Sequence, residues 1–195
     1  MLTPTSGTVR VGGQAIDGAG PEMLAKIRRE NIGFVFQSYH LFPTLTALDN
    51  VRIALDVRGE NSQRAMRKSK QALAAVGLAF KMGSYPRELS GGEQQRVAIA
   101  RAIVGNAATL LADEPTAALD SENGHAIMAV LAEIARDRGR GVLVVTHDPR
   151  IVPFADRIVR IEDGKIIGEE RAADGKEAAR KEKAGRTARK RARKS

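Results

Sequence analysis

Apolar positions along the chain change period several times, and each change marks an element. Near the start "TVRV" alternates as a strand, Gly12-Gly13 turns, and "QAI" returns as a second short strand. "PEMLAKIRRE" reads as a short helix with Pro21 in its first turn, and "IGFVF", Ile32 to Phe36, as an apolar strand ending at Gln37. From Thr46 to about Arg58, Leu48, Val51 and Leu55 recur at helical spacing behind Thr46 as an N-cap, with Asp49 in the first turn. A second, more basic helix runs from about Ser62 to Val76 and stops at Gly77, a C-cap glycine. "SYPRELS" is a loop, and a further helix opens at Ser90.

The second half of the chain keeps switching. "ATLLAD" (Ala108 to Asp113) and "GVLVVTH" (ending at His147) read as buried strands. Between them Ile127, Val130, Leu131 and Ile134 mark an amphipathic helix. "RIVRI" and "KII" flank Asp163-Gly164, a strong hairpin signal. Strands alternating with helices predict an α/β fold with a mainly parallel sheet. The helical stretch between Gln37 and the end of the Ser90 helix, about residues 38–104, reads as an insert beside that sheet.

Composition narrows this picture. The chain has 195 residues, 43% of them hydrophobic, enough for one domain with a real core. It has no cysteine, which excludes disulfides and thiolate metal sites and fits a reducing compartment. The net charge of +9 is uneven: residues 171–195 hold 11 Lys/Arg against 3 Asp/Glu, the rest 21 against 20. That tail has no large apolar residue and predicts a solvated extension separate from a domain over residues 1–170. Contact with anionic lipid is its functional alternative. The tail has no aromatic residue to stack on bases, which argues against nucleic acid.

Three strand ends carry the chemistry. Asp113-Glu114 closes one apolar strand, at the edge where open α/β sheets bind ligands. Asp113 is a candidate Mg²⁺ ligand and Glu114 a candidate base for an attacking water; the structural alternative is two acids capping the next loop. His147 is either a structural histidine or a donor to a phosphate oxygen. Gln37 either bonds a loop or orients water or metal. The stretch "LSGGEQQR" is a fourth candidate. Ser90 can cap its helix with Glu93 completing a capping box. Gly91 and Gly92 add little to a cap, but they let an anion approach the backbone N–H groups at the helix start.

Together these residues resemble a family. "LSGGEQQRVAIARA" is similar to the signature motif of ATP-binding-cassette ATPases, Gln37 to the Q-loop glutamine, and "TLLADEPT" to a Walker B strand with its following glutamate. Ala118-Leu119-Asp120 resembles the D-loop, and His147 the switch histidine. The resemblance covers roughly residues 3–168, and "IGFVFQSYHLFPTLTALDNV" and "VVTHDPR" are similar to the lipoprotein-releasing and macrolide-exporter type. It implies a P-loop NTPase fold of the ABC kind, with ATP and Mg²⁺. Glu114, His147 and Gln37 are then the catalytic residues, and Asp113 and Gln37 sit at the metal. Ser90, Gly91, Gly92, Glu93 and Asp120 contact ATP. It further implies a head-to-tail dimer with a second ATPase subunit, a membrane-spanning permease, and a peripheral place on the cytoplasmic face of the membrane.

One family element is missing. No G-x-x-x-x-G-K-[ST] occurs in the 195 residues. The expectation is therefore a fold lacking the first strand, the P-loop and the following helix, with apolar surface left bare and Met1 an internal codon of a longer gene. A non-hydrolysing regulatory or scaffold half, lending only its signature face, is the alternative function. A nucleic-acid cassette of the repair or translation kind would carry long coiled coils or a tandem cassette, and neither is present.

Overall fold

The computed structural model describes residues 5–136 and 140–171. The basic segment 172–195 expected to be a solvated extension lies outside the described residues. Two compact units separate at the peptide after His147, spanning 1–147 and 148–195.

The first unit begins with a two-stranded hairpin, β1 (Arg10–Val11) and β2 (Gln14–Ala15). Gly12 and Gly13 turn it with φ of 56° and 80°, the double left-handed conformation of a tight two-residue turn. Helix α1 (Pro21–Asn31) starts on its proline and runs directly into β3 (Ile32–Val35). The helical insert follows as α2 (Ala47–Asp56), α3 (Ser62–Ala75) and α4 (Gly91–Ile103). β4 (Thr109–Asp113), α5 (Ser121–Arg136) and β5 (Gly141–Val145) complete the unit.

Local chemistry explains most boundaries in the insert. Thr46 Oγ1 accepts from the Asp49 N–H at 3.1 Å and caps α2. Asn61 caps α3 through Gln63 and Arg64, and Gly77 leaves that helix at φ 76°. The three helices share a core of Val51, Leu55, Leu73, Leu78 and Ile99, all nearly inaccessible. Asn50, fully buried, ties down the incoming loop: its Oδ1 accepts from Phe42 N–H at 2.8 Å, and its amide reaches the carbonyls of Phe42, Leu45 and Thr46. The loop expected over residues 84–90 holds a single 3₁₀ turn, Pro86–Glu88, because Glu88 folds back onto the Tyr85 N–H.

β3, β4 and β5 form one parallel sheet in that order, with Phe34, Leu111 and Leu143 in register. Alternation splits the sheet into two faces. Gly33, Val35, Leu110 and Ala112 are buried. Gly33 lies so close to α4 that a Cβ would sit 2.3 Å from the Ala102 carbonyl oxygen. The opposite face is open. Phe34 is exposed, and Leu143 and Val145 are each 58% exposed. This corrects the reading of residues 141–147 as a buried strand. Parallel strands are normally covered on both faces, and the described residues leave the second face of β5 uncovered.

In the second unit a 3₁₀ segment, Pro149–Phe154, precedes a hairpin of β6 (Arg157–Glu162) and β7 (Lys165–Arg171). Asp163 and Gly164 turn it with φ of 48° and 73°, as the dipeptide predicts. Arg157–Glu169 and Arg160–Glu170 ion pairs bridge its strands.

Candidate functional site

Because β3, β4 and β5 are parallel neighbours, their carboxyl ends form one rim. Val35 is level with Ala112, and Asp113 with Val145. Gln37, Asp113-Glu114 and His147 therefore all fall within two residues of the last paired row. Gln37 is exposed in the turn after β3. Asp113 is exposed at the end of β4, and no hydrogen bond or ion pair engages its carboxylate among the described residues.

Glu114 behaves differently from its neighbour. Its φ is 45°, left-handed, so the strand's alternation stops there and the side chain turns toward β5. Its N–H donates to the Val145 carbonyl at 2.9 Å. One carboxylate oxygen accepts from the His147 N–H at 3.1 Å and from His147 Nδ1 at 2.6 Å. The other accepts from the Thr146 hydroxyl at 3.2 Å. An ionised carboxylate only accepts, so His147 carries its proton on Nδ1 and turns Nε2 away from Glu114. The His147 side chain is 85% exposed while that of Glu114 is 20% exposed. The pair is thus a held carboxylate able to take a proton from water, beside an outward-facing ring that can donate to an anion when both its nitrogens are protonated.

The signature segment forms a second cluster. Ser90 Oγ accepts from the Glu93 N–H at 3.3 Å, and Glu93 accepts from the Ser90 N–H at 2.8 Å. The capping box is real. That backbone hydrogen bond, with Lys81 3.7 Å away, holds the Glu93 carboxyl below its ordinary range. The glycines answer a packing need as well as a cap. A Cβ on Gly92 would lie 2.5 Å from Asn123 Oδ1, and one on Gly91 would lie 2.9 Å from the Tyr39 hydroxyl. Asn123 in turn donates its N–H and its side-chain amide to Asp120, each at 2.8 Å. These bonds lower the Asp120 pKa, and they make Asp120 the cap of α5. Ser90 to Glu93 and Asp120 are therefore brought together through Asn123, whereas neither touches Glu114 or His147 directly.

Three contributors are not apparent from motif spacing. Arg101 reaches from α4 to the carbonyls of Tyr39 (2.8 Å) and His40, which follow Gln37 and are both left-handed, at φ 58° and 47°. Asn123 is the steric partner of Gly92. Gln95 is fully buried and donates from Nε2 to the Pro115 carbonyl at 2.8 Å, one residue beyond Glu114. Gln95 carries a readable signal: it stands with Gly92, Ile99 and Ala102 on the buried stripe of α4, a polar residue where packing asks for an apolar one.

Comparison with known proteins identifies the family. Residues 1–117 match the family model described as ABC transporter. The macrolide export ATP-binding/permease protein MacB of Salmonella typhimurium is 47% identical over 164 residues, 84% of this chain and 25% of that protein. Its counterpart in Escherichia coli K12 is 45% identical over 163 residues, again 84% of this chain and 25% of that protein. The chain thus spans a quarter of the length of these curated relatives. Among solved structures, the ATP-binding cassette MJ0796, as a dimer in a post-hydrolysis state bound to ADP and Pi, superposes with a TM-score of 0.77 at 39% identity, covering 88% of this chain and 75% of that one. Its fold is that of the P-loop NTPases, and this chain belongs to the ABC transporter family as part of its ATP-binding cassette.

Proposed function

We propose that these residues form the signature-bearing and water-activating part of an ATP-hydrolysing cassette that energises an exporter of the macrolide-export type. The observation that carries the proposal is the Glu114–His147 pair at 2.6 Å, on a rim that also holds Gln37 and Asp113. Glu114 is the base for the attacking water: Oε2 has only a 3.2 Å hydroxyl contact, which leaves it acceptor capacity. His147, when both its ring nitrogens carry protons, donates from Nε2 to the terminal phosphate while Nδ1–H stays on Glu114. Asp113 and the Gln37 amide oxygen are hard oxygen donors, and both are exposed on the rim. They fit Mg²⁺, which takes one or two protein ligands and completes its shell with water and phosphate oxygens. When bound, that ion neutralises phosphate charge.

Ser90, Gly91, Gly92 and Glu93 then face the ATP of a second subunit in a head-to-tail dimer, and Asp120 sits at the same interface. The phosphate cradle comes from outside these residues, since no G-x-x-x-x-G-K-[ST] lies within them. A shallow cavity of about 360 Å³ between β3 and the insert, lined by Phe36, His40, Phe42 and Arg101, supports a permease contact beside Gln37. Phe42 is half exposed there. Among the described residues no helix is long and apolar enough to cross a membrane. The ATP-binding/permease relatives support attachment through a permease at the cytoplasmic face. Residues 171–195, with 11 Lys/Arg against 3 Asp/Glu, carry a charge that suits anionic lipid.

The test is phosphate release by the complete assembly purified from its membrane. Glu114→Gln should lower turnover by about 10²- to 10⁴-fold, the usual contribution of a general base, while nucleotide stays bound. The missing phosphate-binding motif favours one other reading, the non-hydrolysing half. In that case Ser90→Arg would abolish the partner's turnover and Glu114→Gln in this chain would leave it unchanged.

A further inference from the structure

Gln95 has no part in the chemistry proposed above, yet it is among the most deeply buried polar side chains in the unit. It is 0% exposed. Its Nε2 donates to the Pro115 carbonyl at 2.8 Å, and its Oε1 has no partner among the described residues. An amide placed in a core with its acceptor oxygen unpaired costs stability relative to an apolar side chain of the same volume. A helix that needed only to pack would carry leucine or methionine here.

The acceptor explains the choice. Pro115 and Thr116 are buried. The segment beyond Glu114 turns tightly, with Ala117 N–H on the Glu114 carbonyl at 3.2 Å and Leu119 N–H on the Thr116 carbonyl at 3.0 Å. Within that turn the Pro115 carbonyl points at α4, and Gln95 is its donor. Glu114 is consequently held on two sides. β5 takes its N–H through Val145, the two residues after β5, Thr146 and His147, take its carboxylate, and α4 takes the next carbonyl through Gln95. Its left-handed φ of 45° is strained for a residue with a Cβ, so it persists only where its surroundings impose it.

We propose that Gln95 is a positioning residue for Glu114 and that it couples the two nucleotide sites of the dimer. α4 begins at Gly91, and Gln95 lies one turn along it, about 6 Å from the signature glycines. A ligand that draws the helix N-terminus toward the partner's ATP moves Gln95 with it, and the Pro115 carbonyl transmits that shift to the carboxylate serving this subunit's own ATP. The coupling rests on the roles given to Glu114 and the signature above. The hydrogen bond itself does not.

Two substitutions separate donor from volume. Gln95→Met keeps the bulk and removes the donor. Gln95→Glu can donate to Pro115 only when its carboxyl is protonated. In ¹⁵N-labelled chain without nucleotide, Gln95→Met should speed amide exchange at Ala117 and Leu119 about 10-fold or more and move the His147 ring signals. Gln95→Glu should show the same changes at neutral pH and revert toward the unmodified chain's spectrum, recorded at the same pH, as the solution is acidified; Gln95→Met should not revert. In the complete assembly Gln95→Met should lower kcat about 10- to 100-fold with KM little changed, as expected for a misplaced catalytic group. Unchanged signals at residues 116–119 and His147 in the Met variant, or identical pH behaviour of the two variants, would overturn the proposal. Should both variants unfold, the unmodified chain decides: a Gln95 side-chain amide proton exchanging as fast as those of exposed glutamines overturns it, and a protected one supports it. If instead Glu114→Gln leaves turnover unaffected, the assignment of the base fails while the spectra still decide the role of Gln95.

Discussion

Gly92→Ala tests whether the bare backbone of the signature helix is there for packing. The added Cβ would meet Asn123 at 2.5 Å (Oδ1), 2.9 Å (Cγ) and 3.3 Å (Cβ), so a shift of the Oδ1 atom alone cannot relieve it. Asn123 can turn away only by giving up its 2.8 Å amide bond to Asp120. Losing that bond costs about 1 kcal/mol, and keeping it leaves overpacking of about 1–3 kcal/mol. Alanine's helix-propensity gain over glycine, at most about 1 kcal/mol in a helix interior, is little realised at Gly92, the second residue of α4. The single variant should therefore be destabilised by about 1 kcal/mol in urea unfolding followed by circular dichroism. Asn123→Ala alone costs about 1 kcal/mol for that same side-chain bond, while the backbone bond from residue 123 to Asp120 survives. In Gly92→Ala/Asn123→Ala the clash is gone, so the pair should be coupled by about 1 kcal/mol. No nucleotide is present in this assay. A coupling below about 0.5 kcal/mol would show that Asn123 does not set the glycine requirement.

Other outcomes follow from the same geometry. Asn50→Ala strands the Phe42 N–H and three carbonyls and should cost about 3 kcal/mol, read as a fall in the urea midpoint at unchanged slope. Glu93 has a lowered pKa, first because of the Ser90 N–H, so its stabilising contribution is present above the ordinary carboxylate pKa and lost as pH falls through the depressed one. Glu93→Gln should accordingly cost about 0.5 kcal/mol at pH 7, and the difference from the unmodified chain should vanish on acidification. Leu143→Thr with Val145→Thr should reduce binding of the dye ANS without lowering the unfolding midpoint, since both side chains are mostly exposed already.

What was readable in the sequence was what short spacings determine. The Thr46 cap, the Ser90–Glu93 box, the Gly77 stop and the Asp163-Gly164 turn each depend on neighbours a few residues apart, and each is found where spacing puts it. Strand partners are not local. "GVLVV" reads as buried because its residues are apolar, yet burial depends on what lies beside it, and here one face meets nothing among the described residues. The 3₁₀ segment Pro149–Phe154 is not legible in the sequence because its two prolines argue against a helix, whereas a 3₁₀ turn capped by Asp148 tolerates them. At the rim, the sequence names Gln37, Asp113, Glu114 and His147 but not their adjacency, which requires the order β3-β4-β5. The ties made by Gln95, Arg101 and Asn123 join segments distant along the chain, and only the fold brings them together.

The two explanations for the signature glycines, packing and anion binding, are not rivals, because they use different parts of the residue. The Cβ of a helical residue projects sideways, and the missing Cβ atoms of Gly91 and Gly92 make room for Tyr39 and Asn123 beside the helix. The N–H groups of the first turn project along the axis, out of the helix end. The capping box takes two of these donors, those of Ser90 and Glu93. The N–H groups of Gly91 and Gly92 have no intrahelical acceptor. A carboxylate at this position would ordinarily oppose an incoming anion, but Glu93 spends one oxygen on the Ser90 N–H and lies 3.7 Å from Lys81, which offsets its charge. The box therefore leaves two adjacent backbone donors at the positive end of the α4 dipole, an arrangement suited to a phosphate. The sideways contacts to Tyr39 and Asn123 link that end to the turn after Gln37 and to the cap of α5. An anion arriving on the axis thus acts on a helix end already braced from both sides.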